Sequence, residues 1–584
     1  MFIIKIKKMK NKLLIFSILI LCTSSCNYLE YDESDFLEKD AVFSSFQYTR
    51  DFLTNIYSYV PAAFGTIGGD ALRSAACDEA VYVDKLSPVH SFNNGAWSAI
   101  NTLDDRWNYF RGIRAVNMFL QEVEGQEFDE LKHNEDYEDI MAQFKYYPYE
   151  ARFLRAYFYF ELAKRYGDIP LITTLLSEEE ANMQKRTSFD EVIQFIVDEC
   201  DAIAPHLPIS YKELIKSETG RATRGAAMAL KSRALLYSAS PLFNKSGNID
   251  KWKSAARAAA DVIEKAWDFG YMPLPDLWSL WNNNYSNNNE LIFGVMQRED
   301  NWFERVNFPI GIEGGGNTGH CPTENLVESY EMQASGLPVA PDAGYEHMDP
   351  SYDSQNPYEG RDPRMYELVA QNGAWWVYDE QVECWYGGRS GKPQKNATVT
   401  GYYLRKYVDG STSLKSEFVT SKRHVWNIMR YSEILLNFAE AMVEAYGDPN
   451  YKDGYPMSAK EAVDIVRSRV HVDMPPFPNN LTLNEFKAKL RNERRVELSF
   501  EDHRFWDVRR WKIGESAFAS VQVAELKLVN GEVILSRKKV ERGWNDKYYL
   551  FPIPQSERQK NGKLTQNPGS VSYTHLRAHE TELH

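Results

Sequence analysis

The sequence lacks the features that mark a metalloprotein, a nucleotide-binding enzyme or a nucleic-acid-binding protein. None of its six cysteines forms a CxxC pair, which excludes the usual zinc and redox motifs. It has no P-loop and no GxSxG elbow, and the glycine-rich stretch "GIEGGGNTG" lacks the strand and helix of a dinucleotide fingerprint. The formal net charge of -15 argues against a nucleic-acid partner, because phosphate binding requires a basic surface. We therefore expect no metal, no cofactor and no nucleic acid.

Long apolar runs are also missing, apart from one near the start. Several lysines precede the run Leu13–Cys22, "LLIFSILILC", which is too short to span a bilayer as a stable helix. A positive segment followed by a short apolar segment is typical of an export signal. The small residues before Cys26 resemble a bacterial lipobox, so we predict a signal peptide at residues 1–25 and lipidation of Cys26. Ordinary secretion with a free cysteine is the alternative.

The two ends of the mature chain stand apart from its folded part. Residues 26–42 are acidic and are predicted to form a tether. The last stretch, residues 571–584, is polar and follows an apparent natural end at "QNPGS", so we interpret it as a non-native tail. It contains "HETELH", whose histidines are one residue too far apart for the zinc motif HExxH.

Apolar residues recur at helical spacing through most of the chain. One predicted helix, "YEARFLRAYFYFELAKRY", ends at Gly167 and Pro170, and another begins with Ser188 and Glu191 in the spacing of a capping box. The helices follow one another in pairs, and some are rich in alanine, which lets helices approach closely. This order predicts a mainly α fold of tetratricopeptide-like helix pairs, with an N-terminal part at residues 43–281 and a C-terminal part at residues 421–570.

Residues 282–420 interrupt the helical pattern. Glycine, proline, asparagine and aspartate dominate stretches such as "IGIEGGGNTGH", "SYDSQNPYEGRDP" and "WYGGRSGKP", as they do in loops and turns. A long irregular segment inside a helical protein is usually functional. We predict a loop-rich subdomain that packs on the helices.

One late stretch, "ERRVELSFEDHRFWDVRRWK", combines arginines, carboxylates and tryptophans. Its charges nearly balance, so it does not form a basic surface for nucleic acid. If the stretch is helical, its charged residues lie on one face and pair with one another, beside an apolar face. These predicted faces are Arg494, Glu497, Glu501 and Arg504 on one side and Leu490, Leu498, Phe505 and Val508 on the other. This pattern favours a packed helix over a catalytic site.

Seven stretches, in this order, resemble the SusD/RagB family of outer-membrane nutrient-binding lipoproteins. They are "EARFLRAYFYFELAKRYGDIPL", "GRATRGAAMALKSRALLY", "DPRM", "GYYLRKY", "MRYSEILLNFAEA", "ERRVELSFEDHRFWDVRRW" and "YYLFPIPQSERQKNGKLTQNPG". The resemblance implies a SusD-like helical scaffold, a lipid-anchored position on the exterior of the outer membrane, and delivery of a bound glycan to a SusC-like TonB-dependent transporter. Family motifs of this kind mark the scaffold and not the ligand contacts.

Two alternatives remain beside glycan binding. Part of the family resembles oligopeptide-binding RagB proteins, so a peptide ligand is one alternative. A glycoside hydrolase is the other, since it requires two carboxylates at a defined separation and the chain has 82 acidic residues. The resemblance favours a binding protein without catalytic residues.

The predicted ligand contacts come from aromatic residues in loops, because flat rings with polar surroundings suit sugar stacking. Aromatic residues make up 14% of the chain, including 14 tryptophans. Adjacent Trp375 and Trp376 alternate in direction along an extended chain, so one is expected to be buried and the other available. We favour Trp97 and Trp385 for their polar, glycine-bearing surroundings. The full predicted set is Asn93, Asn94, Trp97, Trp302, Trp375, Trp376, Tyr378, Trp385, Tyr386 and Arg389.

Overall fold

The computed structural model describes residues 39–212, 214, 218–282, 288–340 and 348–570. The predicted signal peptide, Cys26 and the tail at residues 571–584 lie outside these described residues. Within the described ranges, no helix is both long enough and apolar enough to cross a membrane.

Helices form most of the scaffold. The longer ones are α1 (Phe46–Tyr57), α2 (Tyr109–Glu122), α3 (Tyr147–Tyr166), α4 (Phe189–Ile203), α5 (Arg224–Ala239), α6 (Ile249–Glu264), α7 (Tyr431–Tyr446), α8 (Ala459–Arg467) and α9 (Leu483–Glu497). Shorter helices are Lys39–Ser44, His90–Asn94, Tyr137–Phe144, Glu178–Ala181, Ala266–Phe269, Trp278–Asn282, Trp302–Asn307, Glu324–Ser329, Pro363–Leu368, Arg504–Arg510, Gly514–Phe518 and Gln555–Lys560.

Successive long helices pack against their neighbours in chain order, from α1 on α2 through to α7 on α8. Helix α5 packs on both α4 and α6, where its alanines, among them Ala226 and Ala229, are buried. Small side chains permit this close approach. The fold is therefore mainly α, as predicted, and the serial packing is consistent with tetratricopeptide-like pairs.

The predicted helix boundaries agree with the structure at two positions. Helix α3 ends at Tyr166, and Gly167 follows with a positive φ of 71°, which a glycine adopts without a steric cost. The Ser188 side chain accepts a hydrogen bond from the Glu191 backbone, while the Glu191 side chain accepts one from Ser188. This reciprocal capping box begins α4 as predicted.

Short antiparallel pairs of strands complete the described fold. The strands are β1 (Ala80–Tyr82), β2 (Leu291–Met296), β3 (His320–Pro322), β4 (Val369–Ala370), β5 (Tyr403–Leu404), β6 (Val425–Arg430), β7 (Ser520–Val529) and β8 (Glu532–Glu541). The pairs are β1 with β3, β2 with β6, β4 with β5 and β7 with β8. At Gly294 in β2 a Cβ atom would lie 2.5 Å from the Trp426 carbonyl oxygen, so this close pairing requires glycine.

The late charged stretch is not one continuous helix, which corrects the predicted pairing along its face. Helix α9 ends at Glu497, and Phe500 and Asp502 have positive φ angles before the next helix begins at Arg504. The charges are paired, but with distant residues. Arg504 binds Asp78, Glu501 binds Arg430 and Lys406, and Arg494 binds Asp507.

The centre of this region is a buried network of ion pairs. The Glu497 carboxylate contacts three guanidinium groups, those of Arg364, Arg430 and Arg469, at 2.9, 2.7 and 2.5 Å. Arg430 also contacts Glu290 at 2.6 Å. The apolar residues of the same stretch, Leu490, Leu498, Phe505 and Val508, are all buried. The stretch is therefore packed scaffold with satisfied charges, as the sequence favoured over a catalytic site.

The loop-rich segment contributes to a second apolar core that also contains Phe64, Leu72 and Val496 from outside residues 282–420. The segment is thus joined to the helical scaffold by a shared core. The predicted domain boundaries themselves stay predictions.

Candidate functional site

An open cleft of about 750 Å³ lies between the loop-rich segment and the start of β6. The rings of Trp278, Trp375 and Trp376 line it, together with Met296. Its polar lining residues are Glu299, Arg405, Asp409, Ser411, Lys422 and Arg423. A concave site of this size, with aromatic walls and a few polar groups, is typical of small-ligand binding.

The two adjacent tryptophans differ in exposure as expected. Trp375 is 63% exposed, while Trp376 is partly buried against the core. The Trp376 ring packs edge-on against Phe308 at 5.9 Å between centroids, and the Arg405 guanidinium lies 5.6 Å from its centre. A Cβ atom on Gly410 would lie 2.7 Å from the Trp376 Nε1, so the missing side chain at Gly410 makes room for the indole.

Hydrogen bonds hold the polar wall of the cleft in place. The Asp409 carboxylate accepts from the Ser411 hydroxyl at 2.6 Å and lies 3.7 Å from the Lys422 ammonium. Arg405 donates to the Tyr366 carbonyl oxygen at 2.8 Å, and burial lowers the pKa of its guanidinium. Neither Arg405 nor Arg423 forms an ion pair with another described residue. The N–H groups of Arg423, and those of Arg405 that do not bind Tyr366, can therefore donate to a ligand.

A buried pair supports this wall from beneath. Glu304 Oε1 accepts hydrogen bonds from the Asp409 backbone and from the His424 Nε2, both at 2.9 Å. Burial disfavours the charged imidazole, but the hydrogen bond and charge of Glu304 outweigh it and raise the pKa of His424. The Glu304 carboxylate thereby links the backbone of Asp409 to His424, which lies directly before β6.

Trp302 lies beside the cleft and not in it. Its indole Nε1 donates to Asp70 Oδ1 at 3.3 Å. The preceding Asp300 pairs its backbone with that of Lys422, a lining residue. Trp302 is not among the residues that line the cleft, and its role as a ligand contact stays a prediction.

The early loop around Trp97 is structural, which corrects its selection as a ligand contact. The Trp97 ring is 3% exposed and packs on Tyr548 and Phe551, with centroids 5.1 and 5.0 Å away. Such a ring has no free face for a sugar. The Asn93 side chain donates to the Ala75 carbonyl, and Asn94 accepts from the backbone of the same loop. The polar asparagines indicated an exposed binding loop, but both side chains hydrogen-bond to backbone groups and hold the loop in place.

The remaining predicted residues lie outside the cleft lining. Trp385 packs on a small core that includes Leu526 of β7. Tyr386 is exposed beside the same strand, and its backbone N–H donates to the Leu526 carbonyl. Arg389 pairs with Glu380 at 2.5 Å. The Tyr378 hydroxyl accepts from the Leu414 backbone, and its ring lies under the Lys415 ammonium. The structure therefore brings only Trp375 and Trp376 of the predicted aromatics into the cleft.

Sequence reasoning missed Trp278, Arg405 and Lys422. Trp278 lies just before the loop-rich segment, in a run that reads as helix because Trp281, three residues later, is core. Arg405 and Lys422 come from stretches without any distinctive spacing. Only the folded chain brings these three side chains to the same cleft.

Comparison with known proteins agrees with this architecture. A family model described as "SusD family" matches residues 279–569, and another, "Starch-binding associating with outer membrane", matches residues 35–236. The chain belongs to the SusD/RagB family.

Individual relatives cover nearly the whole chain. The crystal structure of a SusD-like protein from Bacteroides fragilis is 27% identical, with a TM-score of 0.73 over 91% of this chain and 98% of that one. A SusD-like carbohydrate-binding protein from the same organism is 25% identical, with a TM-score of 0.71 over 90% and 100%. A SusD-like protein of Formosa agariphila is 21% identical over 87% of this chain and 90% of its own length.

Proposed function

We propose that this protein binds a glycan in the cleft lined by Trp278, Trp375 and Trp376. This proposal rests mainly on one observation: indole rings and hydrogen-bonding groups line the same concave surface. A sugar ring has an apolar C–H face that stacks on an aromatic ring, and hydroxyl edges that require polar partners. Arg405, Asp409 and Lys422 supply such partners. The carbohydrate-binding relative from Bacteroides fragilis supports the same ligand class.

The proposal extends to the place and the partner of the protein. The export signal and Cys26 support lipid anchoring, and the second family model is described as associating with the outer membrane. From the family resemblance we infer that the protein faces the cell exterior and delivers its glycan to a SusC-like TonB-dependent transporter.

We infer that the protein is a binding protein and not a glycoside hydrolase. A hydrolase requires one carboxyl group that donates a proton and a second that acts as base or nucleophile. Two carboxylates, Glu299 and Asp409, line the cleft, and Asp409 is already engaged by the Ser411 hydroxyl and by the Lys422 ammonium. That arrangement suits a fixed hydrogen-bond acceptor better than a proton donor.

The test is an affinity screen of the purified chain against polysaccharides and peptides, followed by single variants. Trp375→Ala and Trp278→Ala should each weaken glycan binding by about 1–3 kcal/mol, roughly five- to 150-fold, by analogy with base stacking on aromatics. The melting temperature should stay unchanged for Trp375→Ala, because that ring is largely exposed. Product release from any bound glycan would favour the hydrolase, and binding to peptides alone would favour a RagB-like function.

Tyr386→Ala is the matched control. Tyr386 is as exposed as Trp375, at 64% against 63%, but does not line the cleft. Equal losses of affinity in the Tyr386 and Trp375 variants would contradict the proposed location of the site.

A further inference from the structure

The indole of Trp267 is largely exposed to solvent, although the neighbouring Ala266 belongs to the main hydrophobic core. It is 89% exposed, on the short helix Ala266–Phe269 that follows α6. Its backbone is fixed because Gly270 adopts a φ of 72° and the Tyr271 N–H donates to the Ala266 carbonyl at 2.8 Å. Within the described part of the chain, no ring or cation packs on the indole. The exposed indole lies beside a cavity, so its face is accessible to a ligand that enters that cavity.

The cavity beside Trp267 is a groove of about 510 Å³. Leu291 and Ile292, at the start of β2, form its buried base. Hydroxyl, amide and charged side chains surround the opening: Ser210, Lys212, Thr219, Asp268 and Asn289. The groove therefore combines an aromatic ring with hydrogen-bonding edges. The cleft lined by Trp278, Trp375 and Trp376, called the Trp375 cleft below, has the same chemistry.

Close contacts between side chain and backbone form the wall of the groove next to Trp267. The Tyr271 side chain occupies the space that a Cβ atom on Gly225 would require, 2.1 Å from the tyrosine hydroxyl oxygen. Thr223, another lining residue, caps α5 by accepting from the Ala226 backbone at 3.3 Å. The groove is consequently formed by the scaffold itself and does not require a ligand to shape it.

We propose that this groove is a second carbohydrate-binding site, with Trp267 as its stacking platform. The inference rests on the proposed function, because the ligand is another segment of the same class of polysaccharide. Leu291 lies at the groove and Met296 at the Trp375 cleft, so the two sites are at opposite ends of β2. The strand between them spans about 17 Å at 3.3 Å per residue. A long glycan can engage both sites and gain avidity, whereas a short oligosaccharide cannot.

A carbohydrate suits this groove better than a protein partner does. Protein-binding surfaces have an apolar centre with a polar rim. Here the buried apolar base lies at the bottom of a concave groove, and the accessible surface combines the Trp267 indole and the exposed Ile209 and Met272 side chains with hydroxyl, amide and charged groups. Such an arrangement matches the alternating C–H faces and hydroxyl edges of a sugar chain.

The test compares retention of the full chain in native gels containing starch or laminarin, and on an array of immobilised polysaccharides. We then use the polysaccharide that retains the unaltered protein. Trp267→Ala should weaken retention by that polysaccharide about tenfold, because the variant loses one stacking ring and the avidity of binding at two sites. Binding of a short oligosaccharide of that polymer at the Trp375 cleft should change less than about twofold. In a Trp375→Ala background, the added Trp267→Ala change should remove the residual retention.

Trp267→Phe, which keeps a stacking ring, should restore most of the retention, and Tyr48→Ala, an exposed aromatic on α1, should have no effect. Unchanged retention of Trp267→Ala, with weakened retention of Trp375→Ala, would overturn the second site while leaving the proposed function intact. Loss of a bound protein partner in Trp267→Ala, with normal glycan retention, would also overturn it. Failure of the unaltered chain to bind any polysaccharide would overturn both proposals.

Discussion

The imidazole Nε2 of His424 lies 2.9 Å from the Oε1 of Glu304, in a buried pair beneath the wall of the Trp375 cleft. The same carboxylate oxygen accepts the backbone N–H of Asp409, which lines that cleft. The protonation state of one buried histidine is thereby connected to the position of a residue that we propose contacts the ligand.

This pair predicts a pH-dependent stability. Burial opposes the charged imidazole, but Glu304, with Asp300 and Asp409, raises the pKa of His424 in the folded chain above 6.5. The stabilisation is therefore fully present below the unfolded pKa and is lost as the pH rises through the higher folded value. We expect the melting temperature of the unaltered protein to exceed that of His424→Gln by more at pH 5.5 than at pH 9. A difference that is constant or larger at pH 9 would contradict this sign.

Gly410→Ala should reduce glycan affinity. The added Cβ atom would lie 2.7 Å from the Trp376 Nε1, so the indole must shift and the cleft wall changes shape. We expect a loss of about tenfold, near the lower end of the effect of removing a stacking ring. Gly562→Ala is the control, because its Cβ would meet no atom within 4 Å. Calorimetric titration with the bound glycan measures both, and equal affinities of the two variants would count against the cleft.

Trp97→Ala should destabilise the fold and leave the binding surface intact. The ring is buried against Tyr548 and Phe551, and truncation of a buried tryptophan costs about 3–5 kcal/mol. Denaturant unfolding measures the loss. Below its lowered melting temperature, the variant should bind glycan normally. A variant with weakened binding and unchanged stability would restore Trp97 as a ligand contact.

Arg430→Met should be strongly destabilising. The guanidinium contacts Glu290, Glu497 and Glu501 at 2.6–2.7 Å, and its loss leaves buried carboxylates without this partner. Breaking a buried pair in this way costs about 3–5 kcal/mol.

The matched control for Arg430 is Arg257→Met. Arg257 also contacts two carboxylates, but its side chain is only partly buried and both carboxylates lie at the surface, where such pairs contribute about 0–1 kcal/mol. Unfolding in urea compares the two variants. Similar small losses in both would show that the buried network contributes little.

Cys26→Ala should release the protein from membranes. The prediction follows from the lipobox-like sequence, since acyl chains on one terminal cysteine supply the apolar anchor. Fractionation of cells expressing each form, followed by detection of the protein, measures the effect. Membrane retention of Cys26→Ala equal to that of the unaltered chain would contradict lipid anchoring.

The sequence predicted the helical scaffold well because helix signals are local. The apolar spacing, the Ser188 capping box and the Gly167 end each depend on residues within a few positions of one another. The alternation of Trp375 and Trp376 is equally local, and the structure confirms it.

The cleft was predicted only in part because its chemistry is assembled from distant segments. Trp278 and Lys422 lie on either side of the whole loop-rich segment, and no spacing in the sequence connects them. For the same reason the predicted ion-pair partners of Arg504 and Glu501 were wrong. Asp78, which binds Arg504, lies far upstream in the sequence. The change of chain direction after Glu497 also separates the residues that were predicted to pair. Trp97 was misjudged because asparagine and glycine occur both in exposed loops and in buried turns.

The buried ion-pair network has a consequence for how such proteins diverge. Glu497 is shared by arginines from three separate segments, and Arg430 in turn serves three carboxylates, so a single substitution removes a partner from more than one buried charge. We therefore expect substitutions at these positions to be tolerated when the charged partners change together. Trp375 and Trp267 are largely exposed and have no such buried charged partners, so we expect each to tolerate substitution on its own. Under this expectation, ligand preference changes by single substitutions at exposed rings, whereas the buried network resists single substitutions.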